Sequence, residues 1–258
     1  MIRDSDEFAA AASDLLDEER YEDALEIIRQ GLRQFPGDGI LRFLEASTLG
    51  ELGHHPLARD ILEQLRREDF DGCDSSLFFA ELMGSYLNLG RKKDAIQCVR
   101  DAIRRADFDE DTAHLMAEQL HDHGLDSESA MCAVRAIKLN PHSDDGWLNL
   151  AFATYGLGRT TAAEFCCNRA LKVCPGHLIA LDLLGIIYFD GGRIDEAAEC
   201  WGRIPIKDHF DSASLVAWRS VLKHDDPKVR SIRKRWSELR DEESREDVIR
   251  MIMGSRKH

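Results

Sequence analysis

Apolar residues in this chain recur at helical rather than alternating spacing, and the same arrangement returns six times. Phe8, Ala11, Ala12 and Leu15 stand at i, i+3, i+4 and i+7, as do Trp147, Leu150, Ala151 and Thr154, and again Leu181, Leu184, Gly185 and Tyr188. That spacing puts each set on one face of a helix. Each stretch is followed by a second helical pattern that opens on a similar tripeptide. These are Glu22-Asp23-Ala24, Pro56-Leu57-Ala58, Lys93-Asp94-Ala95, Glu128-Ser129-Ala130, Thr161-Ala162-Ala163 and Asp195-Glu196-Ala197. Aligned on them, the repeats start near Ser5, Gly39, Ser76, Glu110, Asp144 and Leu178, spaced 34, 37, 34, 34 and 34 residues apart.

Every repeat reads as helix, short turn, helix. Five turns carry glycine, at Gly53, Gly90, Gly124, Gly158 and Gly192, suited to the left-handed residue that ends a first helix. The first repeat has Glu19 there, which predicts a turn built differently. Pro36, Pro141 and Pro175 share one repeat position just beyond the second helix, where a helix cannot continue. A single helix pair is too small to bury its apolar stripe, so neighbouring pairs must stack, with alanine and glycine allowing close approach. Phe8, Phe79, Trp147 and Leu181 occupy equivalent positions and are all expected in the core.

These residues resemble the tetratricopeptide repeat (TPR) pattern of Trp-x2-Leu-Gly-x2-Tyr, then Ala-x3-Phe, then Pro. The fifth repeat shows it best, with Trp147, Leu150, Ala151, Thr154, Ala163, Ala170 and Pro175. The sixth follows with Leu184, Gly185, Tyr188, Ala197 and Trp201, and the third with Leu82, Tyr86, Ala95 and Ala102. The first two are weaker, and the second, third and sixth lack the closing proline. The resemblance covers about residues 5–211. It implies an all-α, right-handed α-α superhelical solenoid of six TPR helix pairs, at about 5–38, 39–72, 76–109, 110–143, 144–177 and 178–211. Residues 212–258 are expected to form C-terminal capping helices with a basic tail.

That tail has its own signals. A helix is predicted over about Asp211–Lys223, with Leu215, Val216, Trp218, Val221 and Leu222. Asp226-Pro227 looks like an N-cap followed by proline at the first helical position. Val229, Ile232, Trp236 and Leu239 follow at helical spacing, with Arg230, Arg233, Lys234 and Arg235 around them. Between the second and third repeats, three additional residues fall in Asp71-Gly72-Cys73-Asp74-Ser75, a candidate hinge or simply a longer loop.

Charge narrows the partner class. The net charge of −14 on 258 residues opposes a phosphate backbone, so no nucleic-acid partner is expected. From Lys223 onward 11 Lys/Arg face 8 Asp/Glu, a net +3, which leaves −17 on residues 1–222. Hydrophobic residues at 43% and charged residues at 32% point to a folded chain. No stretch of 18 apolar residues occurs, so no membrane insertion is expected. The acidic start Met1-Ile2-Arg3-Asp4 lacks the apolar centre of a signal peptide, and a cytoplasmic protein is expected.

Of seven cysteines, Cys98, Cys132, Cys166 and Cys200 are each 34 residues apart. Neighbours in such a ladder are separated by roughly 8–10 Å, too far for disulfides or for four thiolates on one zinc ion. Repeated small apolar packing in a reducing compartment is the expectation. In the fourth repeat His114, Glu118 and His121 stand at i, i+4 and i+7 on one helical face. Such a face suits either a transition metal or a polar stretch of groove, and no metal or other cofactor is assigned. No glycine-rich phosphate loop and no Gly-x-Ser-x-Gly elbow occurs, so no catalytic residue is assigned and no enzyme is expected.

The TPR resemblance also implies where a ligand would lie, because such proteins present the first helix of each pair on the concave side. The corresponding positions carry Phe43, Ser47, Glu51, Ala80, Gly84 and Asn88 in the second and third repeats. They carry His114, Glu118, His121 and Asp122 in the fourth. The fifth has Leu148, Phe152 and Tyr155 there, and the sixth Asp182, Ile186, Phe189 and Asp190. The cations of carboxylate-clamp TPR domains are missing, with Asn88 and Asn149 as the only remnants, so a chaperone's acidic tail is disfavoured. Phe152, Tyr155, Ile186 and Phe189 beside Asp182 and Asp190 suit an apolar or basic peptide or an amphipathic helix, the alternative being that another part of this chain, such as the basic C-terminal helices, fills the groove. The resulting expectation is a protein-protein scaffold or adaptor. A chaperone shielding an apolar client segment, or a self-assembling module, are the alternatives, and homo-oligomerisation is left open.

Overall fold

A computed structural model describes residues 4–68, 75–104 and 108–204. They form twelve α-helices: α1 (Ser5–Asp17), α2 (Tyr21–Gln34), α3 (Gly39–Glu51), α4 (His55–Arg67), α5 (Ser75–Asn88) and α6 (Lys92–Ile103), then α7 (Glu110–Asp122), α8 (Asp126–Leu139), α9 (Asp144–Gly156), α10 (Thr160–Val173), α11 (Leu178–Asp190) and α12 (Ile194–Trp201). There is no strand among the described residues. No helix among them is long and apolar enough to cross a membrane. The all-α solenoid of six helix pairs expected from the repeats is the architecture observed. The capping helices expected over 212–258, and most of the candidate hinge at 71–75, lie outside the described residues.

A side chain caps the first helix of five pairs, those of α1, α3, α7, α9 and α11, whereas the second helices start from the preceding turn. Carboxylates of Asp4, Asp38 and Asp109 accept the backbone N–H groups of Glu7, Leu41 and Thr112 at 3.0, 2.9 and 2.7 Å. Ser143 and His177 cap α9 and α11 in the same way. Each such cap satisfies a donor that the helix leaves orphaned, typically for about 1 kcal/mol. The second helices have no side-chain cap. They begin two residues after a left-handed residue, at φ +77, +70, +68, +70 and +72° for Gly53, Gly90, Gly124, Gly158 and Gly192.

The first turn corrects the sequence reading. Glu19 adopts φ +57°, so it occupies the same left-handed well despite its side chain. Its amide donates to Leu16 O at 2.9 Å and the next amide, Arg20, donates to Leu15 O at 2.9 Å. The glycine turns repeat this double bond: Gly158 to Tyr155 O and Arg159 to Thr154 O, both at 2.8 Å. All six turns are one Schellman closure. The backbone bonds of the turn hold the conformation, and glycine only lowers its cost.

The chain divides into two compact units, Met1–Pro141 and His142–His258. Within the first, α1, α3, α5 and α7 are successive neighbours, α2 packs on α3, α4 on α5, and α6 on α8. Phe8, Ile28, Leu41, Leu62, Leu82, Met83, Met116 and Leu120 are buried there. Within the second, α9, α10, α11 and α12 surround Leu181, Leu184, Tyr188 and Trp201. Trp201 is 0% exposed, and it fits because Gly185 has no side chain: a Cβ there would come 2.5 Å from Trp201 Nε1.

Phe8, Phe79 and Leu181 are core residues as expected, but Trp147 is only partly buried. It meets Phe165 edge to face at 6.1 Å, and the guanidinium of Arg169 lies over its ring at 4.8 Å. Cys98, Cys132, Cys166 and Cys200 are buried and free, as repeated small packing requires. Burial pushes the Cys98, Cys132 and Cys200 thiols up to about 12 and Cys166 to about 11, so they stay protonated.

Candidate functional site

The expected groove residues divide between the two units. In the N-terminal unit they do not form one surface with a common chemistry. Phe43 is buried and packs against Phe78 with ring centroids 6.3 Å apart, so the expectation that it faces a ligand is corrected. Its neighbour Phe78 comes from α5, and the aromatic pair fills the space between the two first helices. Ser47 donates to Glu81 Oε1 at 3.2 Å. Burial, with Glu51 adding to it, holds the Glu81 carboxyl above its usual range, while Ser47 pulls the other way. Asn88 donates to Gly84 O at 3.0 Å and is exposed.

The histidines of α7 are drawn to different partners. His114 Nε2 lies 3.3 Å from Glu110 Oε1, one turn back on its own helix. His121 Nδ1 lies 2.7 Å from Asp126 Oδ1 at the start of α8. Glu118 is exposed between them. Among the described residues no group of three or more His, Cys, Asp or Glu side chains could hold a metal ion.

The C-terminal unit is where the expected residues do come together. Leu148 is buried in its core, which corrects its assignment to the groove. Phe152 and Tyr155 of α9, and Ile186 and Phe189 of α11, are partly buried and pack against that core from outside. Tyr155 donates to Asp190 Oδ2 at 2.5 Å, which ties the end of α9 to the end of α11. Burial first, and then this bond, push the Tyr155 phenol up to about 12. Phe189 meets the Trp201 ring at 5.9 Å, and Trp201 Nε1 donates to Asp182 Oδ1 at 2.8 Å. The two carboxylates are thus positioned by aromatic donors, one from beside the face and one from the core beneath it.

A second exposed feature escaped the sequence reading. Phe165 on α10 is 59% exposed, beside Trp147 and Arg169. Met131, 34 residues earlier on α8, is 48% exposed. The other four repeats carry Glu26, Asp60, Gln97 and Glu199 at this position. Two apolar residues at a position that is otherwise polar are the signal that marks them.

Comparison with known proteins agrees with this architecture. Residues 15–80 match the family model for the tetratricopeptide repeat. A TPR repeat-containing protein of Methanocaldococcus jannaschii is 30% identical over 73 residues, which is 28% of this chain but only 13% of that protein. The chain therefore spans a small fraction of that relative. A tetratricopeptide repeat protein from Parabacteroides merdae shares the fold with a TM-score of 0.63 at 13% identity, covering 97% of this chain and 99% of that one. YrrB, a TPR protein with an unusual peptide-binding site, has a TM-score of 0.50 at 17% identity, covering 69% of this chain and 90% of its own. Six helix pairs, each turned by the same Schellman closure, thus share the fold of tetratricopeptide-repeat proteins, and residues 15–80 match the model of that family.

Proposed function

We propose that this chain is a non-catalytic, cytoplasmic scaffold that holds a protein partner, and that the α9/α11 face is its peptide-binding surface. TPR folds are protein-interaction modules in general, and YrrB is one with a peptide site. The finer reading rests on one observation. Phe152, Ile186 and Phe189 are only partly buried against one core, whose neighbours Tyr155 and Trp201 bond Asp190 and Asp182, and we read this as an apolar strip with acidic edges. Such a strip favours an apolar or basic peptide, or an amphipathic helix with cations along one flank. Six repeats bounded as in the sequence reading, with 212–258 as the closing segment, belong to the same proposal.

The test is a screen of the purified full chain against a peptide library that varies net charge and apolar spacing, read by fluorescence anisotropy. Apolar peptides with net positive charge are expected to bind. The Phe152→Ala/Phe189→Ala double variant is expected to lose at least tenfold in affinity, since truncating aromatic anchors commonly costs about 2 kcal/mol or more. Binding of acidic peptides, or equal binding by a folded double variant, would overturn the assignment of this face.

A further inference from the structure

The ligand chemistry just described is present in this chain itself. Residues 226–240 carry six basic and two acidic side chains, with Val229, Ile232, Trp236 and Leu239 at helical spacing. An apolar stripe with cations beside it is the complement of an apolar strip with Asp182 and Asp190 at its edge. The chain also leads to the right place. Its described part ends at Ile204, buried in the same core that underlies Phe189 and Trp201. The segment begins at Asp226, 22 residues further on. That length spans about 30 Å even if wholly helical, at about 1.5 Å per residue, which is enough to cross one helix pair and return.

We propose that residues 226–240 occupy the α9/α11 face in cis, so that a partner peptide must displace this segment to bind. This rests on the reading of α9/α11 as a peptide-binding face. Tethering gives the segment an effective concentration on the order of millimolar. A free peptide of equal intrinsic affinity therefore meets a site that is mostly filled, and its apparent affinity falls by the unfilled fraction. The basic tail then sets a threshold: only a partner that binds more tightly, or is itself tethered nearby, gains the face. Its net +3 beside −17 on the rest of the chain draws it to the acidic body, and that attraction weakens with salt.

A fluorescent synthetic peptide of residues 226–240 tests this against the full chain and against an Ile232→Asp/Trp236→Asp variant. The variant is expected to bind the peptide at least tenfold more tightly than the wild type, because its own segment no longer competes. Adding Phe152→Ala/Phe189→Ala to that variant is expected to abolish binding. A second variant, Arg233→Glu/Arg235→Glu, keeps the apolar stripe and should unmask the face partially. It also serves if the first variant is not helical by circular dichroism. Equal affinity in wild type and both tail variants would remove the cis occupant while leaving the face intact as a peptide site. No binding to either variant would show that this segment is not a ligand, with the library screen deciding the face separately. A wild-type dimer in sedimentation equilibrium that becomes monomeric in the tail variants would give the face to a second copy's tail and overturn the cis assignment.

Discussion

The sharpest test of how this unit is packed is Gly185→Ala. A Cβ at Gly185 would lie 2.5 Å from Trp201 Nε1, 2.6 Å from Cε2 and 2.9 Å from Cδ1. Trp201 is fully buried and bonded to Asp182 at 2.8 Å, so the indole has no free direction in which to move. Overpacking costs about 1–3 kcal/mol, losing the buried hydrogen bond about 1–3, and alanine returns about 1 over glycine in a helix, for a net loss of about 3 kcal/mol. Gly50→Ala is the control, since a Cβ there meets nothing within 4 Å. It should stabilise α3 by up to about 1 kcal/mol. Because two compact units need not unfold together, the assay is hydrogen exchange through a urea series, with peptides from α11 and α12 read separately from those of α3. In the Trp201→Ala background the whole ring is gone, and the cost of Gly185→Ala should shrink by at least about 1.5 kcal/mol. A neutral Gly185→Ala, or an equal cost in both backgrounds, would refute the argument that this glycine exists to admit the indole.

Three further outcomes are expected. Glu19→Gly should raise stability by about 1 kcal/mol and Gly158→Ala lower it by about 1–2, since both residues occupy the left-handed well; urea midpoints of the two variants should move in opposite directions. At pH 8 in native buffer, iodoacetamide should label the partly exposed Cys174 at least tenfold faster than buried Cys132, whose thiol burial pushes up to about 12; mass spectrometry of the peptides checks this, and denaturant should erase the difference. In ultraviolet titration, Tyr155→Phe should remove part of the phenolate signal that emerges near pH 12. The contribution of a raised phenol is fully present below the unfolded value of about 10 and is lost as pH rises from there to about 12, so the variant should show a shallower alkaline loss of stability over that window.

Much of the candidate site was legible because repeat register carries over from one helix pair to the next. The positions of Phe152, Tyr155, Ile186 and Phe189 followed from counting within the repeat, and the structure brings these four side chains onto α9 and α11 in one unit. Phe43 and Leu148 were misassigned by the same count. Register states which way a position points, whereas burial depends on what the neighbouring helix places opposite it: Phe78 for Phe43, and the core of the C-terminal unit for Leu148. The α7 histidines show a similar limit. Helical spacing put His114, Glu118 and His121 on one face, but Glu110 and Asp126 draw the two rings to different partners.

By itself the sequence determined the all-helical repeat, the turn positions, the small-residue contacts and the inert cysteine ladder. Each of these depends on local backbone preference or on a spacing that recurs every 34 residues. Tertiary structure alone decided that Glu19 takes the glycine conformation, because the two turn hydrogen bonds outweigh its steric cost. It alone decided that Trp147 lies half outside while Trp201 lies wholly inside, because Gly185 opens space at one place and Phe165 stands at the surface at the other. It also paired Tyr155 with Asp190 and Trp201 with Asp182. Those pairings join residues 35 and 19 positions apart, a distance at which local propensity has no say and only packing brings the partners together.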